Sequence, residues 1–403
     1  MIETWSPDWS NAVFSLEERD RRWANVRRLM SAVGVDLIVC LPNSHSHDKA
    51  AADTRYLTQL GENSDEVTAA FPVDGEVTAW LSRGGVWPSS NWFTDIRVAG
   101  RGSGGRAIVN WIKEHPGYES ATIAIAGLDS SLNAHVRALE GEVNWGSVEL
   151  IKQAFPKAKF VSATPVLGEA RFQKSAEEID FLRKGTRVAE ETMGAILEYA
   201  REGVPERDVF GRMMYANAHA GGSFTPMFGW ISGPLGNTYH RVEQPTFRSF
   251  QRGDVLSLEI EGRWAGYVAQ IDQTFSIGPA HEDLKEGMKL CCEAFNRVMD
   301  KLKPGVTCGE LVDAAKLTGL NGRAMSFLTM HGRGAGDEGP PLFGTPPEEV
   351  RGFEIKEGCC FVVKPATSVD GKPDYGRWGD SVVVTKSGAE RLGARPQQLY
   401  ELG

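Results

Sequence analysis

No apolar run approaches the roughly 18 residues needed to cross a bilayer. The start, MIETWSPDWSNAVF, lacks a basic segment followed by an apolar stretch. A cytoplasmic protein with no membrane partner is expected. Cysteine is scarce: Cys40, Cys291, Cys292, Cys308, Cys359 and Cys360 include two adjacent pairs and offer neither a CxxC zinc spacing nor the regular pattern of a secreted disulfide scaffold. Buried free thiols follow. Positive charge is also short, with 44 Lys and Arg against 53 Asp and Glu and a net charge of −9, so no global field exists to hold a phosphate backbone, and nucleic acid is excluded as a partner. Low-complexity tracts and internal repeats of about 20 to 50 residues are missing, which removes solenoids and disordered arrays.

What is present is ordinary globular composition, 41% hydrophobic and 24% charged over 403 residues, long enough for more than one domain. Trp23, Val26, Leu29, Met30 and Val33 recur at helical spacing, and Asp36 to Leu41 reads as a buried strand. Val67 to Phe71 and Glu76 to Leu81 flank Asp74-Gly75, a favoured hairpin turn, and a helical segment leads to the strand-like run Thr122-Ile-Ala-Ile-Ala. Residues 1–165 therefore read as an α/β domain. The pattern loosens around Pro156 and Pro165, and Ser175-Ala-Glu-Glu178 then forms a capping box ahead of a long amphipathic helix. Residues 166–403 add helices at Glu206 to Ala220 and Glu282 to Leu302. Strand-like runs lie at Val255 to Ile260, Gly266 to Phe275, Cys359 to Val363 and Ser381 to Thr385. The expected second domain is α+β, with a curved and largely antiparallel sheet.

Polar groups gather at four places. A strand over Leu256 to Glu261 puts Glu259 and Glu261 on one face and Leu258 and Ile260 on the other, and the returning run aligns Gln270 with Asp272. The stretch Met330 to Pro341 sets His331, Arg333, Asp337 and Glu338 among glycines that let backbone approach a ligand. It lacks the third glycine and the preceding apolar strand of a dinucleotide site. Ser232 to His240 reads as a turn-rich loop ending in a histidine suited to proton transfer. Lys364 follows the apolar run Phe361-Val-Val, an unusual place for a cation. Periodicity alone also fits a solvated hairpin face, an exposed histidine and a strand-edge lysine.

In order along the chain, Lys174-Ser-Ala-Glu-Glu-Ile, Gly253-Asp-Val-Leu-Ser-Leu, Ala265-Gly-Tyr, Thr274-Phe, His331-Gly-x-Gly, Lys356-Glu-Gly and Val382-Val-Val-Thr-x-x-Gly resemble the pita-bread family that includes creatinase, aminopeptidase P, prolidase and methionine aminopeptidase. The resemblance implies an N-terminal α/β domain, a C-terminal α+β pita-bread domain and a homodimer. It also implies that the metallopeptidases' five ligand positions fall on Glu259, Gln270, His331, Lys364 and Gly379, of which only the histidine keeps its identity. Two positions of creatinase, the metal-free member, fall on His240 and Asp272. Creatinase itself carries a glutamate where Lys364 stands.

These readings converge on a metal-independent, creatinase-like hydrolase cleaving an amide, amidine or urea-type C–N bond of a small polar metabolite, with no cofactor. His240 is the expected general acid and base, assisted by Asp272 and Lys364. Glu259, Glu261, Gln270, His331, Arg333, Asp337 and Glu338 are the substrate-binding candidates, and a loop with His45, His47 and Asp48 is a further one. The alternatives are a peptidase or dimethylsulfoniopropionate lyase holding one metal through Glu259, Glu261 and His331, and a non-catalytic binding protein.

Overall fold

The computed structural model describes residues 13–42, 51–61, 66–82, 92–128, 141–222, 227–242, 245–344 and 346–403. Two compact units divide the chain: residues 1–177 with 335–339, and residues 178–334 with 340–403. The division falls after Glu177 rather than after residue 165, because Val166, Leu167 and Ala170 pack into the first unit's core. Among the described residues no helix is long and apolar enough to cross a membrane.

The first unit contains α1 (Leu16–Val33), β1 (Leu37–Cys40), α2 (Ala52–Thr58), β2 (Thr68–Pro72), β3 (Thr78–Leu81), β4 (Asp95–Val98), α3 (Gly104–Glu114), β5 (Thr122–Ile125), α4 (Trp145–Ala154), β6 (Lys159–Ser162) and α5 (Thr164–Phe172). The six strands run in the order β4-β3-β2-β1-β5-β6. Every residue of β1 is buried. Ile38 and Cys40 enter a core with α1, α2 and α5, while Leu37 and Val39 enter another with α3 and α4. A short apolar run without alternation is what a strand covered on both faces requires. Strands β2 and β3 pair as the expected hairpin, but residues 73–77 join them in place of a two-residue turn at Asp74-Gly75. Helix α1 begins at a Ser15 cap and stops at Gly34, whose φ of 69° suits a residue without Cβ.

The second unit, apart from the opening residues of α6 and β14, holds α6 (Ala176–Tyr199), α7 (Glu206–His219), β7 (Phe228–Pro234), β8 (Tyr239–Val242), β9 (Asp254–Trp264), β10 (Tyr267–Ile277), α8 (Glu282–Lys301), α9 (Cys308–Ala314), β11 (Thr318–Gly319), β12 (Ala324–Phe327), β13 (Thr329–Arg333), β14 (Asp337–Phe343), α10 (Glu348–Arg351), β15 (Cys360–Val363), β16 (Ala366–Val369), β17 (Trp378–Thr385), β18 (Gly388–Arg391) and β19 (Tyr400–Leu402). Its main sheet contains the path β13-β15-β17-β10-β9-β7-β8. All the named pairings along this path are antiparallel. The stretch from Ser232 to His240, read as a loop, is the closing part of a hairpin, with His240 opposite Ile231. The β9–β10 turn is Ala265-Gly266, both at positive φ (46° and 82°), the primed geometry that matches strand twist. Leu256, Leu258, Ile260, Ile271 and Phe275 pack with α6 and α7 in one apolar core. The opposite face of the same hairpin is left to polar groups. All six cysteines are free thiols, five buried and Cys292 half-buried.

Candidate functional site

Register decides what that polar face assembles. Glu259 lies directly opposite Asp272, and Glu261 directly opposite Gln270. Directly paired residues of an antiparallel ladder project to the same side, so all four side chains share one face, as the two-residue period predicts. Strand β17 flanks β10 and sets Gly379 opposite Asp272. Strand β15 ends at Val363, so Lys364 follows directly beside it.

The centre of the cluster is an ion network. Lys364 Nζ lies 3.0 Å from Glu259 Oε2, and Arg377 Nη1 lies 3.0 Å from Glu259 Oε1 and 3.7 Å from Asp272 Oδ2. Gln270 Nε2 donates to Glu259 Oε2 at 2.8 Å. A carboxylate has nothing to donate, so the amide must turn its oxygen the other way. That oxygen, Gln270 Oε1, and Asp272 Oδ1 are both buried and have no hydrogen-bond partner among the described residues. Burial alone would push the Glu259 carboxyl up, yet the charges and hydrogen bonds of Lys364 and Arg377 hold it well below the usual carboxylate range. Asp272 goes the other way: burial, reinforced by the nearby Glu259 charge and only partly offset by Lys364, Arg377 and Arg395, pushes it up to about 6. Two facing carboxyls are thus set apart, one locked as an anion and one free to exchange a proton near neutral pH.

Lys364 depends on its neighbour being glycine. A Cβ on Gly379 would fall 2.8 Å from Lys364 Cα and from Val363 O, and closer still to Lys364 Cβ. The Cβ and backbone of Lys364, with the Val363 carbonyl, therefore fill the space a side chain at 379 would need. Gly379→Ala should lower stability by about 1–3 kcal/mol through overpacking. An unchanged urea midpoint would show that the strands can part at no cost.

The remaining candidates divide. Glu261 belongs to a separate network in which Arg333 Nη1 approaches at 3.1 Å, Arg263 Nη2 at 3.3 Å and the Met227 amide at 3.2 Å. Lys364 therefore meets Glu259, and Glu261 is neutralised by arginines. His331 is buried on β13, its Nδ1 3.2 Å from Gly332 O and its ring 5.9 Å from that of Phe343. Asp337 and Glu338 group with the first unit. There the Glu338 carboxylate takes an ion pair from Lys174 and another from Arg171 at 3.1 Å, while Arg171 also binds Asp53 at 2.6 Å. The Glu338 carboxylate is thus engaged by two cations of the same unit. The side chain of His240 lies outside the described residues, as do His45, His47 and Asp48. Arg377 is the residue that sequence reading missed. Its signal was its place two residues before Gly379, beside a ligand position implied by the resemblance.

An α/β unit followed by a curled, mostly antiparallel sheet with helices packed on one side is the pita-bread architecture. The chain belongs to the metallopeptidase family M24, which residues 180–386 match. It is 27% identical over 274 residues to the Xaa-Pro dipeptidase of Pyrococcus furiosus, covering 66% of this chain and 76% of that one. It is 24% identical over 396 residues to the creatinase of Bacillus sp. (strain B-0618), covering 94% and 91%. The crystal structure of the X-Pro aminopeptidase from Thermotoga maritima MSB8 shares the fold, with a TM-score of 0.72 at 19% identity over 94% of this chain and 99% of that one.

The family name implies metal, and the donor set here does not fit one. Among the described residues no group of three or more His, Cys, Asp and Glu side chains is placed to hold an ion. Of the five positions that the resemblance assigns to ligands, one is a neutral amide, one has no side chain, and one is an ammonium already bound to Glu259. A cation cannot share a carboxylate with a cation bound in its place.

Proposed function

We propose that this chain is a C–N bond hydrolase, acting on an amide, amidine or urea-type group of a small polar metabolite, that works without a bound metal. The observation that carries the reading is the double engagement of Glu259 by Lys364 and Arg377, two internal cations standing where the family resemblance puts ions. The named relatives that cleave such bonds include both a dipeptidase and a creatinase. The greater coverage by the creatinase supports the metal-free branch.

In this reading Asp272, ionised above about pH 6, accepts the proton of a water whose oxygen bonds to the substrate carbon. The C–N bond then breaks and the leaving nitrogen takes a proton from His240. A positioned group in either role typically contributes about 10² to 10⁴ in rate. Gln270 Oε1 and Asp272 Oδ1, two buried acceptors without donors among the described residues, suit a substrate that presents N–H groups to both. Lys364 and Arg377 keep Glu259 anionic and in place.

Screening amides, ureas and amidines with protein dialysed against a chelator tests the proposal. Turnover should survive dialysis unchanged, and elemental analysis should find well under one manganese, iron or zinc per chain. Activity lost to the chelator and restored by a divalent ion would overturn it. A homodimer belongs to the same proposal, and light scattering giving the mass of one chain would remove it.

A further inference from the structure

Arg395 is an expensive residue to bury. It is 6% exposed, and among the described residues no carboxylate lies within ion-pair distance of its guanidinium. Among the described residues its Nε has no partner. Asp380, Glu190 and Asp272 favour its charge from beyond contact distance, and burial still outweighs them, so its place is costly.

Its contacts explain that place. Nη1 donates to Gln273 Oε1 at 3.0 Å, and Nη2 donates to Gly379 O. Gln273 is the residue after Asp272 on β10, and Gly379 is the residue opposite Asp272 on β17. The ladder between these strands has only two registered pairs, Asp272 with Gly379 and Gln273 with Trp378. Arg395 therefore bridges the two strands at the row where the ladder is short. The guanidinium lies 4.3 Å from the centre of the Trp378 ring. The backbone amides of Ala394 and Arg395 are held by Glu190 Oε1 of α6 at 2.8 and 3.0 Å, and Gln273 Nε2 donates to Gln398 O at 2.8 Å. The segment carrying the arginine is thus fixed at both ends.

We propose that Arg395 is a positioning residue that sets the spacing of β10 and β17 at the Asp272 row, and through Gly379 fixes where the Lys364 stem crosses and whether its ammonium reaches Glu259. The Cβ space at Gly379 is already filled by Lys364, so a small shift of Gly379 must move the lysine with it. Burial holds the Arg395 pKa below its ordinary value, consistent with a charge kept for its geometry. The inference rests on the reading of Glu259 and Lys364 as part of the working site. The experiment reads the pair itself rather than turnover, so a failed hydrolase assay and a failed clamp are distinguishable.

The test is acetylation of the whole protein with acetic anhydride, followed by mass spectrometry of the lysine peptides. In the wild type Lys364 should be protected relative to the exposed Lys289. In Arg395→Met, Lys364 should react at least about tenfold faster, as a buried bond opened to solvent does. Arg395→Lys, which keeps a donor, should recover part of the protection. The fully buried Cys308 thiol should stay inert to iodoacetamide in both, showing that the unit remains folded. Equal protection of Lys364 in wild type and folded Arg395→Met would overturn the proposal. If Cys308 also becomes reactive, Gln273→Met decides, since it removes one arm of the bridge and keeps the charge. Lys364 exposed in that variant supports the clamp, and Lys364 unchanged overturns it.

Discussion

Asp272→Asn is expected to cost at least about 100-fold in turnover and yet make the protein more stable at pH 8. The folded-state pKa rises from 3.8 to about 6 because burial disfavours the carboxylate. Between those values the native state keeps a proton that the unfolded chain has released, so stability falls as pH rises through this window and stays low above it. At about 1.4 kcal/mol per unit, the penalty for holding Asp272 ionised at pH 8 is at most about 3 kcal/mol. Asparagine keeps the shape and cannot ionise. The urea midpoint of the variant should exceed wild type at pH 8 and match it near pH 4. A variant less stable than wild type at pH 8 would mean that Lys364 and Arg377 more than offset the burial, leaving Asp272 an ordinary ion-pair partner. The opposed directions for activity and stability separate this prediction from a packing effect.

How much of this was written in the residues depends on how local the signal is. The face shared by Glu259, Glu261, Gln270 and Asp272 was legible because strand alternation is a property of consecutive residues. The Ala265-Gly266 turn then fixes the register that brings them together. The helices α1, α7 and α8 were legible for the same reason, with apolar spacing and end signals lying within a few residues. What the four groups do to one another was not. Glu259 and Glu261 look equivalent in the strand, yet one meets Lys364 and Arg377 and the other meets Arg333 and Arg263. Those partners lie 72 to 118 residues further along the chain, except Arg263. Glu338 shows the same limit. Glycines around it suggest an open ligand loop, but its carboxylate is satisfied by Lys174 and Arg171, more than 160 residues earlier. Arg377 and Arg395 sit in segments with no alternation to mark an inward face, and only the fold gives them their roles.

Lys364→Met is expected to cost about 3 kcal/mol at pH 8, the lower end of the range for removing one member of a buried ion pair, because Arg377 stays on Glu259. Methionine retains an unbranched stem, so the packing over Gly379 is largely kept and the change isolates the charge. The pH dependence has a definite sign. Above pH 6 both Glu259 and Asp272 are ionised, and the lysine charge stabilises each of them. At pH 5 Asp272 is mostly protonated in the native state and no longer draws on that charge, so the variant loses less. Without Lys364 the Glu259 pKa also rises from its depressed value, and protonation there limits the loss further in acid. Urea midpoints at pH 8 and pH 5 measure the difference directly. A lysine whose head was solvated at a strand edge would give a change of about 0.5 kcal/mol or less at both. A near-zero, equal shift would therefore show that Lys364 is not the internal cation of this site, and the proposal of a metal-free centre built around it would fall with that result.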